Sequence, residues 1–136
     1  MKDNQCIFCK LAHGDIPSKT IYEDEKFRVI LDLAPASKGH ALILPKDHYR
    51  NLYDLPEETA AEAMIIAKRM MSLMTEKLNC SGFNLVQNNE EAAGQTVYHF
   101  HLHLIPRYSE NNHMLTWNSL ELTEGELEEI KALIVG

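Results

Sequence analysis

Three histidines, His99, His101 and His103, stand at i, i+2 and i+4 in the stretch VYHFHLHLIPRY. In an extended strand alternate side chains point to opposite faces. The spacing therefore predicts that the three imidazoles share one face with Val97 and Ile105, while Tyr98, Phe100, Leu102 and Leu104 share the other. The apolar set is suited to burial against a helical layer. The histidines then line a groove, with successive rings about 6.5–7 Å apart. Two chemistries fit such a row. H-x-H pairs chelate zinc in several classes of hydrolase. A neutral imidazole, with an unperturbed pKa of about 6.5, is also a competent nucleophile near neutral pH.

Cys6 and Cys9 form C-x-x-C, which is half of a tetrahedral zinc site or a redox pair. A redox pair of the thioredoxin kind opens a helix directly after a core strand, and nothing strand-like precedes Cys6. Zinc would need two further ligands. The candidates are His13, His40, His48, His99, His101, His103 and His113, with Cys80 as another thiol.

The elements that must position these groups read as follows. CIFCKLAH, residues 6–13, forms a short helix stopped by Gly14 and Pro17. KTIYE and FRVILDL are strands joined by the charged turn EDEK, a hairpin. HALILP is a short strand ended by Pro45. A long helix starts at Pro56, with Glu57 and Glu58 at its positive end and Lys77 in its last turn. Its apolar positions, Ala60, Ala63, Met64, Ala67, Met71, Met74 and Leu78, recur at steps of three and four, as packing against a sheet requires. GFNLVQN is a strand, NEEAAG a loop, and VYHFHLHLIP the next strand. TEGELEEIKALIV is a closing helix with Thr123 and Glu126 in capping-box spacing. The expectation is an α+β domain over residues 1–136, with a mostly antiparallel sheet of about five strands, one long helix and a C-terminal helix. Its core spans residues 6–108, and 109–136 form a helical extension.

Bulk properties narrow the function. The net charge is −7, whereas a general nucleic-acid surface wants a basic stripe. A small anionic ligand stays compatible, because backbone N–H groups and a few side chains can hold a phosphate. The polar start, MKDNQ, has no apolar signal core. The most apolar segment, residues 60–74, is broken by Glu62, Lys68, Arg69 and Ser72, and falls short of the ~20 apolar residues that span a membrane. Three cysteines, an odd count, point to a reducing, cytoplasmic setting rather than a disulfide framework.

GQTVYHFHLHLIPR strongly resembles the signature of the histidine triad (HIT) family of nucleotide-binding enzymes. CIFCKLAHGDIPS resembles the opening of bacterial members, and LDLAPASKGHALILPKDHYRNL their ligand-binding strand and loop. The resemblance runs from about Cys6 to Tyr108. It implies a homodimer whose substrate is a small nucleotide, a purine nucleoside monophosphate derivative of the adenosine 5'-phosphoramidate type.

By that resemblance His101 attacks the α-phosphate to give a covalent nucleotidyl-histidine, which water hydrolyses. His103 contacts phosphate, and His40 matches the remaining active-site histidine. Asp32 matches the residue that holds the ribose hydroxyls, and Asn88, Gln95 and Thr96 match polar residues around the phosphate and leaving group. Some relatives bind structural zinc through residues matching Cys6, Cys9, His48 and His99, with no metal needed for the chemistry. His13 and His113 match no motif. Three alternatives stand beside this reading: a dinucleoside polyphosphate hydrolase, a nucleotide-binding regulatory module with incidental catalysis, and a catalytic zinc hydrolase using all three histidines.

Overall fold

A computed structural model describes residues 1–110 and 116–136. The elements follow as α1 (Ile7–Ala12), β1 (Thr20–Glu23), β2 (Phe27–Leu31), β3 (Ala41–Pro45), α2 (Glu57–Leu78), β4 (Gly82–Val86), a 3-10 turn (Glu91–Ala93), β5 (Leu102–Arg107) and α3 (Glu124–Val135). The five strands form one sheet in the order β1-β2-β3-β5-β4, and every neighbouring pair is antiparallel. The expected α+β architecture is present.

Local chemistry accounts for the turns and ends. In the β1–β2 hairpin the Asp24 carboxylate accepts the N–H groups of Lys26 at 2.8 Å and Phe27 at 2.7 Å. That side-chain turn closes the tight connection. Helix α2 starts after Pro56 and ends where Asn79 turns left-handed at φ 57°. Asparagine is one of the few side chains that tolerate that conformation. Thr123 and Glu126 make the reciprocal capping box at the start of α3.

The sheet buries both faces at its centre. Phe27, Val29, Ala41, Ile43, Leu102 and Leu104 face α2, where Ala63, Ile66, Ala67, Met70 and Met74 cover them. Ile30, Leu42 and Leu44 face the other way, against Ala12, Phe8 and Leu11 of α1. Period-two alternation along β2 and β3 sorts these two sets.

Two expectations need correction. The seam of α2 is shifted, because Ile66 and Met70 are buried while Met64 is 54% exposed. Both stripes satisfy helical spacing, and only the sheet selects between them. The histidine-bearing strand is also shorter than the pattern suggests. It begins at Leu102, and residues 97–101, bent at 97–99, make no ladder with the sheet. Their hydrogen bonds explain why. The Phe100 N–H donates to the Tyr49 carbonyl at 2.7 Å, so this segment is held by the chain ahead of α2 rather than by a strand.

Leu104 is fully buried at the centre of the larger cluster. Leu104→Ala is expected to lower unfolding stability by about 2–5 kcal/mol, through lost burial and a residual cavity. Urea unfolding with an unchanged denaturant slope checks this, and a loss under ~1 kcal/mol would mean the core collapses around the gap.

Candidate functional site

The register of the sheet assembles the site. His103 on β5 lies opposite Leu42 on β3. His40 stands two residues before Leu42, on the same face, and its ring centroid is 5.1 Å from that of His103. Asp32 follows β2 and donates its N–H to the His40 carbonyl at 2.9 Å, which prolongs the ladder to the rim. His101, one step before β5, has its ring 5.0 Å from His103. His99, on the same side of the chain, meets the N-terminal segment, where it is fully buried.

These groups border a pocket of about 320 Å³. Phe8, Leu11, Pro17, Ile30 and Leu42 form its apolar part. Ser18, Lys19, Asp32, Asn88, Thr96, His101 and His103 are its polar groups. Such a mixture suits a ligand with one flat apolar moiety and one polar, charged end. The apolar residues were not singled out in the sequence as site residues. Phe8 carried a signal, since its place inside C-x-x-C fixes it beside any metal the cysteines hold.

Each imidazole has a defined tautomer, because main-chain groups have fixed donor and acceptor roles. His101 Nδ1 lies 2.7 Å from the His99 carbonyl. A carbonyl only accepts, so Nδ1 carries the proton and the Nε2 lone pair remains for the pocket. The Ala36 N–H donates to His40 Nδ1 at 2.9 Å. His40 Nε2 therefore carries its proton and donates it to His103 Nδ1 at 2.9 Å. His103 is left with its proton on Nε2, as a donor. His99 Nε2 donates to the Pro45 carbonyl at 2.8 Å, leaving an Nδ1 lone pair.

That last lone pair meets two thiols. His99 Nδ1 lies 3.4 Å from both Cys6 Sγ and Cys9 Sγ, and His48 Nδ1 lies 3.4 Å from Cys9 Sγ. All four ligand atoms lie within 4.8 Å of one another. Usual zinc bond lengths place sulfur and nitrogen about 3.5 Å apart across the edge of a tetrahedron. The N–H groups of Cys9 and Asp3 point at Cys6 Sγ and Cys9 Sγ, each at 3.3 Å, as they would toward thiolates. The residues fit a four-coordinate metal ion. Burial pushes the Cys9 thiol up to about 11, against the Asp3 N–H that lowers it. Metal binding at neutral pH would therefore displace a proton.

Asp32, His40 and His103 are a second cluster of ligand-type atoms. Their hydrogen bonds argue against a metal there. The Ala36 N–H occupies His40 Nδ1 and obliges Nε2 to keep its proton, so His40 offers no lone pair. The three triad histidines are thus divided between two sites, which weighs against a catalytic metal held by all three.

The other expected residues are placed as follows. Asn88 and Thr96 line the pocket. Gln95 does not line it. It is 2% exposed, and its carboxamide is hydrogen-bonded within the chain. His13 is exposed and bonds the Lys46 carbonyl, while Cys80 is a buried free thiol away from the cluster. His113 lies outside the described residues.

An antiparallel five-stranded sheet that sets a histidine triad beside a half-apolar pocket defines a class, the histidine triad proteins. The chain belongs to the HIT family: the HIT domain model matches residues 13–110. It is 42% identical to an adenosine 5'-monophosphoramidase of Saccharomyces cerevisiae over 88% of this chain and 73% of that one. Among solved structures it resembles a HIT family protein from Bacillus anthracis, with a TM-score of 0.87, 42% identity and coverage of 98% and 96% of the two chains. A Zn-bound histidine triad family protein from Mycobacterium smegmatis matches with a TM-score of 0.74 and 43% identity over 76% of each chain.

Burial holds the imidazoles neutral. It lowers His101, and it lowers His103 to about 4 with help from the neighbouring His101 and His40. Burial likewise lowers His99 to about 4. In the unfolded chain these groups protonate near 6.5. Between those values the unfolded state binds more protons, so stability falls as pH drops from about 6.5 toward 4 and levels off below. Glu23 and Glu90 sit at about 2, through hydrogen bonds from Lys46 and Arg50 respectively, and act at lower pH. The urea midpoint in chelator is expected to fall from about pH 7 to 5.5 to 4.5. A midpoint that held or rose over that range would mean the folded imidazoles are charged.

Proposed function

We propose that this protein is a nucleotide hydrolase that cleaves nucleoside monophosphate derivatives of the adenosine 5'-phosphoramidate type at the α-phosphorus, through a nucleotidyl-His101 intermediate. The observation that carries the reading is the 2.7 Å bond from His101 Nδ1 to the His99 carbonyl, which reserves Nε2 as a nucleophile. The similarity to a yeast adenosine 5'-monophosphoramidase supports the substrate class.

In this reading the base lies against Phe8, Leu11, Ile30 and Leu42. Asp32 accepts hydrogen bonds from the ribose hydroxyls. One Asp32 oxygen already takes the Ala34 N–H at 2.8 Å, which orients the carboxylate. Asn88 and Thr96 face the phosphate. His101 Nε2 attacks phosphorus, a P–N(His101) bond forms, and the bond to the amine breaks. The leaving nitrogen takes up one proton from solvent as the bond breaks and departs as the neutral amine, and the later loss of a proton from water restores the balance. The resulting imidazolium is stabilised by its Nδ1–H bond to the His99 carbonyl, and the His103 Nε2–H donates to a phosphoryl oxygen. Water then attacks phosphorus and loses a proton. The P–N(His101) bond breaks, and nucleoside monophosphate leaves.

Zinc is the metal we assign to Cys6, Cys9, His48 and His99, in line with the Zn-bound relative. A Cys₂His₂ set fills its four positions, so the ion would clamp the N-terminal segment to the strand and take no part in the reaction. We also read the protein as a cytoplasmic homodimer. No helix among the described residues is long and apolar enough to cross a membrane. Met64, Ile65, Met71 and Leu85 line an outer groove on α2 and β4. Leu127, Ile130, Leu133 and Ile134 are exposed on α3, as is Trp117 before it. Apolar surface on this scale calls for a partner.

His101→Ala is expected to lower kcat by about three orders of magnitude or more while keeping nucleoside monophosphate binding and zinc content. Cys6→Ser or Cys9→Ala should do the opposite, lowering zinc content and melting temperature together while the remaining folded protein keeps turnover. Rapid quench with intact mass spectrometry should catch the nucleotidyl adduct in the wild type only. Wild-type turnover in His101→Ala, or zinc lost from it, would break the assignment. A substrate panel that includes dinucleoside polyphosphates separates the two hydrolase branches, and light scattering gives the mass in solution.

A further inference from the structure

Between Asn88 and Thr96, both of which line the pocket, the chain makes a detour whose shape is costly. Glu90 sits at φ 73° and ψ 161°, a conformation that side-chain-bearing residues rarely adopt. Glycine would take it freely. A glutamate held there implies that its side chain does something glycine cannot.

Its carboxylate takes a two-pronged bond from Arg50, with Nε at 2.8 Å and Nη2 at 2.7 Å, and a third bond from Asn51 Nδ2 at 2.5 Å. Asn51 is 1% exposed, and its Oδ1 accepts the Tyr53 N–H at 3.1 Å. Beneath them lies Gln95. Its Oε1 accepts the Glu90 N–H at 2.8 Å and Asn51 Nδ2 at 3.3 Å. Its Nε2 donates to the carbonyls of Arg50 at 2.7 Å and Val97 at 3.1 Å. Both donor and both acceptor positions of the carboxamide are used, and none is left for a ligand. The Arg50 guanidinium also lies 4.2 Å over the Tyr98 ring.

We propose that Arg50, Asn51, Glu90 and Gln95 are positioning residues, a latch that fixes the phosphate-facing loop and the bend carrying His101 in one geometry. The latch joins three stretches: 50–53 ahead of α2, the loop 90–95, and 97–98. On one side the loop presents Asn88, Gly94 and Thr96 to the pocket. On the other, Val97 and Tyr98 lead straight to His99, whose carbonyl holds the His101 ring. The neighbouring Phe100 N–H to Tyr49 carbonyl bond continues the same seam. Gln95 thus acts at the phosphate through the loop rather than by touching it. The proposal rests on reading the His101 pocket as the site of hydrolysis.

Glu90→Gly separates the latch from the turn, because glycine keeps the backbone shape and removes the carboxylate. Glu90→Gln, which retains an oxygen acceptor, is the conservative control. Both are made in the full-length, zinc-loaded chain. Three quantities are measured: melting temperature, amide hydrogen exchange across 89–98, and kcat and KM for adenosine 5'-phosphoramidate. Glu90→Gly is expected to melt close to the wild type, to exchange faster across 89–98, and to lose about 10–100-fold in kcat with little change in KM. Glu90→Gln should recover most of the loss. If Glu90→Gly does not fold, Arg50→Met takes its place, with faster exchange and a kcat lowered about 3-fold or more. Wild-type kcat, or unchanged exchange, in the folded variant overturns the latch. Should the wild type hydrolyse no nucleotide, the reading of the pocket falls, and exchange alone decides the latch in the same way.

Discussion

A buried imidazole has one N–H and one lone pair, and both need partners when water is excluded. This molecule buries His40, His99 and His101 almost completely. In each case the main chain supplies one partner: the Ala36 N–H for His40, the Pro45 carbonyl for His99, and the His99 carbonyl for His101. A main-chain group cannot exchange its role as donor or acceptor, so it dictates which ring nitrogen keeps the proton. The free nitrogen of each histidine then has a fixed character, with a lone pair at His101 Nε2 and His99 Nδ1, and a donor at His40 Nε2. The arrangement therefore depends on backbone geometry more than on the histidines themselves.

The bend before β5 has a second consequence. His99 and His101 lie two residues apart, yet one turns to the thiols and the other to the pocket. The His99 carbonyl belongs to both arrangements, since it sits on the residue whose ring meets Cys6 and Cys9 and it receives the His101 proton. Phe8 is a further bridge. It lies between the two cysteines in sequence, and its ring stands edge-on to that of His101 at 4.9 Å. A metal at the cysteines would tighten α1 and the bend together, and so steady the His101 ring from outside the pocket.

The sheet and its helices were legible because their signals are local: alternation in β2 and β3, the acidic first turn of α2, the capping box of α3. The candidate metal set was legible through resemblance, since spacing alone left eight candidates beyond the C-x-x-C pair open. What the sequence hid depends on tertiary hydrogen bonds. The expected alternation is present, with Phe100, Leu102 and Leu104 in the core facing α2, but only the Phe100 bond to Tyr49 shows that sheet pairing starts no earlier than Leu102. Gln95 is expected near the phosphate because it matches a polar residue of the family there. Its partners, Glu90 and the carbonyls of Arg50 and Val97, include backbone atoms that no residue pattern reports. The buried stripe of α2 was likewise undecidable between two helical faces until the sheet was in place.

A chain of net charge −7 is a poor receptor for phosphate on bulk grounds, so the proposed site would have to counter that field locally. Burial keeps His101 and His103 neutral, and Lys19 brings a positive charge to the same pocket. An imidazole kept uncharged by burial approaches an anionic phosphate without the repulsion that a thiolate or carboxylate nucleophile would meet. Around it stand two uncharged donors, the His103 ring and the amide of Asn88, together with the cationic Lys19. Asp32, the one carboxylate bordering the pocket, lies at the end of β2, where hydroxyl groups rather than phosphate oxygens suit an acceptor. Neutral imidazoles beside Lys19 would thus reconcile an acidic protein with the anionic ligand we propose.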